Sequence, residues 1–156
     1  PAAVVRLLNI GIEPFLLAST LTCSVGQRLI RKICSRCRQP ATLPQEMADR
    51  LGLLGADGRP LPVFKGAGCP ACFQTGYSGR EVIAEALVMT SEMRDAVTHN
   101  AREHELAAMA HAGGMQSMRE HGLAKVRAGV TTVDEVIRTT MGDRFDAEPA
   151  TSGQRP

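Results

Sequence analysis

Two Cys-x-x-Cys pairs, Cys34-Ser35-Arg36-Cys37 and Cys69-Pro70-Ala71-Cys72, limit what this chain can fold into more than any other feature. Two residues between thiols let both sulfurs of one knuckle address the same ion, and a second knuckle completes the tetrahedral sulfur set that suits Zn²⁺. The connection of 31 residues between Cys37 and Cys69 is longer than in a common zinc ribbon. Loop closure grows only logarithmically with length, so a metal can still close it. The other fates of such cysteines are two disulfides, a redox dithiol and an iron–sulfur cluster. Disulfides call for an oxidising compartment, and a redox pair needs one motif, not two. The start, Pro1-Ala2-Ala3-Val4-Val5-Arg6, lacks the basic and long apolar regions of a secretory leader, so the cytoplasm is the expected compartment. Structural Zn²⁺ on Cys34, Cys37, Cys69 and Cys72 is the expectation, and four thiolates leave no open position for a catalytic water. Cys23 falls in the apolar register of its segment and is expected in the core.

Composition makes such a staple useful. In 156 residues aromatics are 3% and Trp is absent, so the core must be built from small aliphatic side chains. A closing zinc contributes on the order of 10 kcal/mol to folding in small metal-binding peptides. Net charge is +2, too balanced to steer the molecule onto nucleic acid or an anionic membrane. Arg28, Arg31, Lys32, Arg36 and Arg38 form a local basic run. Alternation splits them between faces, so no nucleic-acid partner is expected. Arg80, beside the Gly76–Gly79 turn, suits a partner carboxylate and an internal ion pair equally well. His99, His104, His111 and His121 have no Glu-flanked pairing and read as exposed helix residues.

The pattern of the chain alternates helix and strand. Glu13-Pro14 opens a short helix burying Phe15, Leu16, Leu17 and Ala18. From Leu21 to about Lys32 the period is two, with Leu21, Cys23, Val25 and Leu29 expected inward. Arg38-Gln39-Pro40-Ala41 reads as a polar turn. A helix through Met47, Leu51 and Leu54 and an extended piece over Leu61 to Phe64 lead to the second knuckle. Arg80 to Met89 reads as a strand. Four helices follow: one capped by Thr90 or Ser91, then Arg102 to Ala112, then Met115 to Ala128, and a last one after Thr132-Val133-Asp134-Glu135, which has capping-box spacing and buries Val136 and Ile137. The tail 142–156 reads as disordered.

Nothing in the sequence can cradle a nucleotide, since no Gly-x-x-x-x-Gly-Lys-[Ser/Thr] occurs, and no nucleophile elbow or acid–base constellation is visible. The chain alone is expected to catalyse nothing. Gly11-Ile12-Glu13-Pro14-Phe15-Leu16-Leu17-Ala18-Ser19 with Gln27-Arg28-Leu29 nevertheless resembles the C-terminal part of the type II secretion and type IV pilus assembly ATPases. So do Gly68-Cys69-Pro70-Ala71-Cys72, Thr75-Gly76-Tyr77-Ser78-Gly79-Arg80, Glu85, Gly114-Met115, Glu120-His121-Gly122-Leu123-Ala124-Lys125-Val126 and Asp134-Glu135-Val136-Ile137-Arg138, in the same order. Ala84-Glu85-Ala86 departs mildly from that family's usual pattern. The resemblance implies an α/β fold: the end of a RecA-like ATPase core over 1–33, an inserted tetracysteine zinc subdomain over 34–79, and a returning strand with a C-terminal helical bundle over 80–141. The strand from Leu21 and the strand from Arg80 would then lie side by side. It also implies a hexameric motor at the inner membrane, reached from the cytoplasm through membrane-anchored partners, with ATP and Mg²⁺ held only in the full-length parent. Two other classes remain, a stand-alone zinc ribbon using Arg28 to Arg38 on nucleic acid, and a dithiol redox protein.

Overall fold

The computed structural model describes residues 1–141, so the tail expected to be disordered lies outside the described residues. In chain order the elements are α1 (Ala2–Asn9), α2 (Pro14–Thr20), β1 (Cys23–Ile33), β2 (Arg38–Ala41), α3 (Gln45–Arg50), β3 (Val63–Gly66), β4 (Tyr77–Val88), α4 (Ser91–Thr98), α5 (Glu103–Ala112), α6 (Met118–Arg127) and α7 (Val133–Thr140). Helix starts follow local chemistry. Pro14 occupies the first turn of α2, and the Thr90, Ser117 and Thr132 hydroxyls accept the N–H of Met93, Glu120 and Glu135.

β1 pairs antiparallel with β4 from Cys23↔Val88 to Arg31↔Arg80, with a register irregularity before Ile33↔Tyr77. The two strands lie side by side, as the resemblance implies. β2 pairs antiparallel with β3, Arg38↔Gly66 to Ala41↔Val63, in a second small sheet. The polar turn read at Arg38 to Ala41 is therefore a strand. Pairing with β3 overrides the Pro40 signal, which is tolerable because a two-stranded sheet has only edges.

Three apolar clusters hold the elements together. Leu17 and Ala18 of α2 pack with Leu87, Met93 and Leu106; Val63 of β3 packs with Ala48, Leu123, Val126 and Val136; Ile30 and Ile83 of the paired strands pack on Met118. This third cluster decides which way the β1–β4 ribbon faces. Ser24, Gly26, Arg28 and Ile30 turn toward the helices, while Cys23, Val25 and Leu29 are exposed, the reverse of the expected face. Gly26 sits close against Met118, where an added Cβ would lie 3.4 Å from its terminal methyl. The more apolar side of β1 is thus the outer one, and Cys23 is not a core residue. Phe15 and Leu16 are likewise exposed, and Met47 gives way to Ala48 as the buried residue of α3.

One buried ion cluster ties α7 to β1. Glu135 is 1% exposed, accepts the Arg31 amide N–H at 3.0 Å, its Nε at 3.0 Å and its Nη2 at 2.7 Å, and receives Arg138 Nη2 at 2.7 Å. It therefore does not turn back to its own cap, and the capping box expected from its spacing is only half formed, by Thr132 Oγ1 accepting the Glu135 N–H. Burial pushes the Glu135 carboxyl up, but the donors from Arg31 and Arg138 outweigh it and hold it down at about 2. A folded-state value below the unfolded one stabilises the fold at neutral pH, and that contribution fades as pH falls from about 4.5 toward 2. Glu135→Gln is expected to lower unfolding stability by about 2–3 kcal/mol at neutral pH, with the gap to wild type narrowing below about pH 4.5, where the carboxyl of the unfolded chain takes up its proton while the native one still resists. Urea titrations between neutral pH and about pH 3 would show it. A gap that stays constant with pH would refute the charge-based account.

Candidate metal centre

Cys34 follows β1 directly, Cys37 precedes β2, Cys69 and Cys72 bracket a single 3₁₀ turn at Pro70–Cys72, and Gly76 precedes β4. The ribbon thus delivers both knuckles to one end of itself. The Cys34 N–H donates to Gly76 O at 2.9 Å, which continues the strand pairing into the site. Each knuckle is closed by its own backbone, Cys37 N–H to Cys34 O at 3.3 Å and Cys72 N–H to Cys69 O at 3.1 Å. The Ala67 N–H reaches Cys37 O at 2.9 Å and joins the two knuckles.

Two glycines permit this crossing. A Cβ on Gly76, whose φ is +77°, would lie 2.7 Å from Gly66 O, and a Cβ on Gly66 would run into the Gly76 carbonyl. No side chain fits where those backbones meet. Past Cys72 the chain turns through two left-handed residues, Phe73 and Gln74, with φ of 51° and 63°. The turn is held by Gln74 N–H to Cys69 O at 3.0 Å and by Thr75 Oγ1 donating to Cys72 O at 2.6 Å. The sequence marked Gly76 as a turn residue close to Gly66. It did not reveal that they touch.

The four sulfurs of Cys34, Cys37, Cys69 and Cys72 lie within 4.8 Å of one another, with Cys34 to Cys69 at 3.9 Å, Cys37 to Cys72 at 3.8 Å and Cys69 to Cys72 at 3.6 Å. Thiolates held about 2.3 Å from a tetrahedral zinc stand roughly 3.8 Å apart, so the arrangement fits one such ion. The spacing is far beyond a sulfur–sulfur bond of about 2.05 Å, and all four are free thiols. Burial raises the Cys72 thiol, but N–H donation from Cys69 and Gly76, at 3.2 and 3.3 Å, outweighs it and brings it to about 6. Burial and the neighbouring thiols push Cys37 up, to about 11. A divalent cation held by the four sulfurs would take them as thiolates.

The other sequence candidates go elsewhere. Arg31 is committed to Glu135, Arg28 donates to Thr139 O, and the Arg38 guanidinium stacks on Phe64 at 3.7 Å. The basic run is dispersed. His99 and His111 bond carbonyls on exposed surface, whereas His121 is half-buried with Nδ1 against the Ala84 N–H at 3.2 Å, contrary to its reading as an exposed residue. Glu85 and Lys125, both within the recognised motifs, hold α6 to β4 through Met118 N–H at 3.2 Å and Glu81 at 2.9 Å.

Four converging thiols at the end of a two-stranded ribbon, with helices packed on one of its faces, define a tetracysteine module able to hold a metal ion on an α/β scaffold. Residues 1–138 match the family described as type II/IV secretion system protein, and the chain belongs to that family. It is 37% identical over 139 residues to the type IV pilus assembly ATPase PilB of Thermus thermophilus, covering 89% of this chain and 16% of that protein. It is 40% identical over 139 residues to the type II secretion system protein HxcR of Pseudomonas aeruginosa, with 89% and 26% covered. Against the type II secretion system protein E of Dickeya dadantii the identity is 41% over 138 residues, with 88% and 27% covered. The chain therefore spans no more than about a quarter of the length of these relatives.

Elemental analysis of the chain purified without chelator is expected to find one zinc per chain. Cys69→Ser and Cys72→Ser are each expected to lose most of it, with a falling thermal midpoint. Absence of metal together with four thiols silent to a thiol reagent would instead indicate disulfides.

Proposed function

We propose that this chain is part of a motor ATPase driving type II secretion or type IV pilus assembly, to which it contributes a zinc-bearing scaffold and docking surfaces and no nucleotide chemistry. The names of the relatives support the reading. One observation in the fold carries it. The outer face of the β1–β4 ribbon is apolar and bare: Val25 is 60%, Leu29 57% and Val88 62% exposed, with Cys23, Val82 and Ala86 beside them. A ribbon with one such face open is marginal, and in the relatives there is ample further chain to cover it.

In this reading the remainder of the motor packs on that face and holds ATP and Mg²⁺, and Zn²⁺ on Cys34, Cys37, Cys69 and Cys72 keeps the knuckles rigid. Copies assemble as a ring of six on the cytoplasmic side of the inner membrane, where membrane-anchored components of the machine bind. The identity to the pilus-assembly relative and to the secretion relatives is comparable, 37% against 40% and 41%, so secretion and pilus assembly stay joint assignments.

The test is a chimera in which this chain replaces the aligned segment of the Dickeya type II secretion protein E. It is expected to hydrolyse ATP and restore secretion, while the isolated chain does neither. Val25→Glu with Leu29→Glu is expected to abolish hydrolysis in the chimera and leave the isolated chain folded. Full activity with both glutamates in place would remove the ribbon face from the account.

A further inference from the structure

A cleft of about 580 Å³ opens to solvent beside the knuckles, lined by Arg31, Thr75, Tyr77, Ser78, Gly79 and Arg80. Arg31 and Arg80 stand directly opposite each other across β1 and β4, so both side chains leave the same face of the ribbon. Like charges so placed repel. The fold answers only one of them. Arg31 gives Nε and Nη2 to Glu135 and lies over the Tyr77 ring at 4.1 Å, yet its side chain stays 46% exposed and its Nη1 donates to nothing among the described residues. Arg80 is exposed and its side chain has no hydrogen bond or ion pair among the described residues. No acidic side chain lines the cleft. An adjoining hollow of about 410 Å³ shares Ser78 and adds Arg36, which also lacks a partner among the described residues.

We propose that this cleft docks an acidic segment of a partner protein, whose Asp or Glu carboxylates are taken by Arg80 and by the uncommitted edge of Arg31. The guanidinium is a planar fork matched to a carboxylate, and an opposed pair with one member unneutralised supplies the missing charge complement. The Ser78 hydroxyl sits between the two hollows as a further donor, and Arg36 extends the basic rim. The number and layout of charges favour discrete carboxylates over a polyanionic surface. Membrane-binding patches gather about 4–8 basic residues, and single-stranded nucleic acid needs a basic groove with aromatic platforms. Here the cations are few and Tyr77 is already covered by Arg31.

The site does not depend on the motor assignment, and its test needs no ATP hydrolysis. Fluorescence anisotropy of a labelled peptide of alternating Glu and Ser is measured against the zinc-loaded chain, with its Gln counterpart as reference. The Glu peptide is expected to bind and the Gln peptide not. Arg80→Ala, at an exposed position, is expected to weaken binding about tenfold or more, with Arg80→Lys between the two. Arg50→Ala, an exposed arginine on α3, is expected to leave binding unchanged, and circular dichroism with metal content confirms that each variant is folded. Equal loss in Arg50→Ala and Arg80→Ala, or equal binding of the Gln peptide, would overturn the proposal. So would Arg80-dependent binding of phosphatidylglycerol vesicles, or of inorganic phosphate, without binding of the Glu peptide.

Discussion

Antiparallel pairing of β1 with β4 is the constraint from which the rest of this molecule follows. The strands are separated in sequence by the whole cysteine-bearing segment, and their register sets where its two ends emerge. Because Cys34 N–H bonds Gly76 O at 2.9 Å, the last rung of the ribbon is also the first rung of the metal site. β2 pairing with β3 then folds the long connection back, bringing Ala67 against Cys37. This pairing holds the two ends of the connection together, so a metal need fix only the two knuckles. A connection much longer than a common ribbon's is compatible with a tight sulfur cluster for that reason.

The ribbon cannot stand alone, since two strands without a covered face are marginal in water. α6 covers one face through Met118 on Ile30 and Ile83, and α7 seals the outer edge of β1 through Glu135. These contacts differ in weight. The Lys125–Glu81 pair at 2.9 Å is partly solvated on both sides, so it fixes orientation more than it adds stability. Glu135 is withdrawn from water and satisfied by donors from two arginines and a backbone amide, so loss of those donors would strand a buried charge.

The parts of this arrangement that rest on short-range chemistry were legible in the sequence. The knuckle spacing singled out the four cysteines whose sulfurs converge, and Thr132, with Thr90 or Ser91, marked helix starts because a hydroxyl at the cap satisfies an orphan N–H whatever the tertiary context. The inward face of β1 was not legible. Its alternation was read correctly as a strand, but the side with Cys23, Val25 and Leu29 carries more apolar residues than the side that Ile30 commits to Met118. Hydrophobic pattern counts the apolar residues on each face and does not report which element packs on it. β2 was hidden for a related reason: its four residues have no strand propensity of their own, and only β3 makes them one. Glu135 looked like a cap residue because its partner Arg31 lies 104 positions away.

The segment before α7 couples these pieces more tightly than any single pair does. Ile33 N–H donates to Val130 O at 2.8 Å, Thr131 Oγ1 donates to Arg31 O at 2.8 Å, and Tyr77 OH lies 2.8 Å from Thr132 Oγ1. Three successive residues therefore hold both strands of the ribbon at the point where the knuckles begin. Thr131 and Thr132 are buried, so these bonds have little competition from water, and breaking one leaves an unsatisfied polar group. A displacement of α7 cannot be absorbed at that junction without losing them together with the Arg31–Glu135 contact. The knuckles, the ribbon end and the last helix are accordingly joined by hydrogen bonds that begin a single residue from Cys34 and a few residues from Cys72.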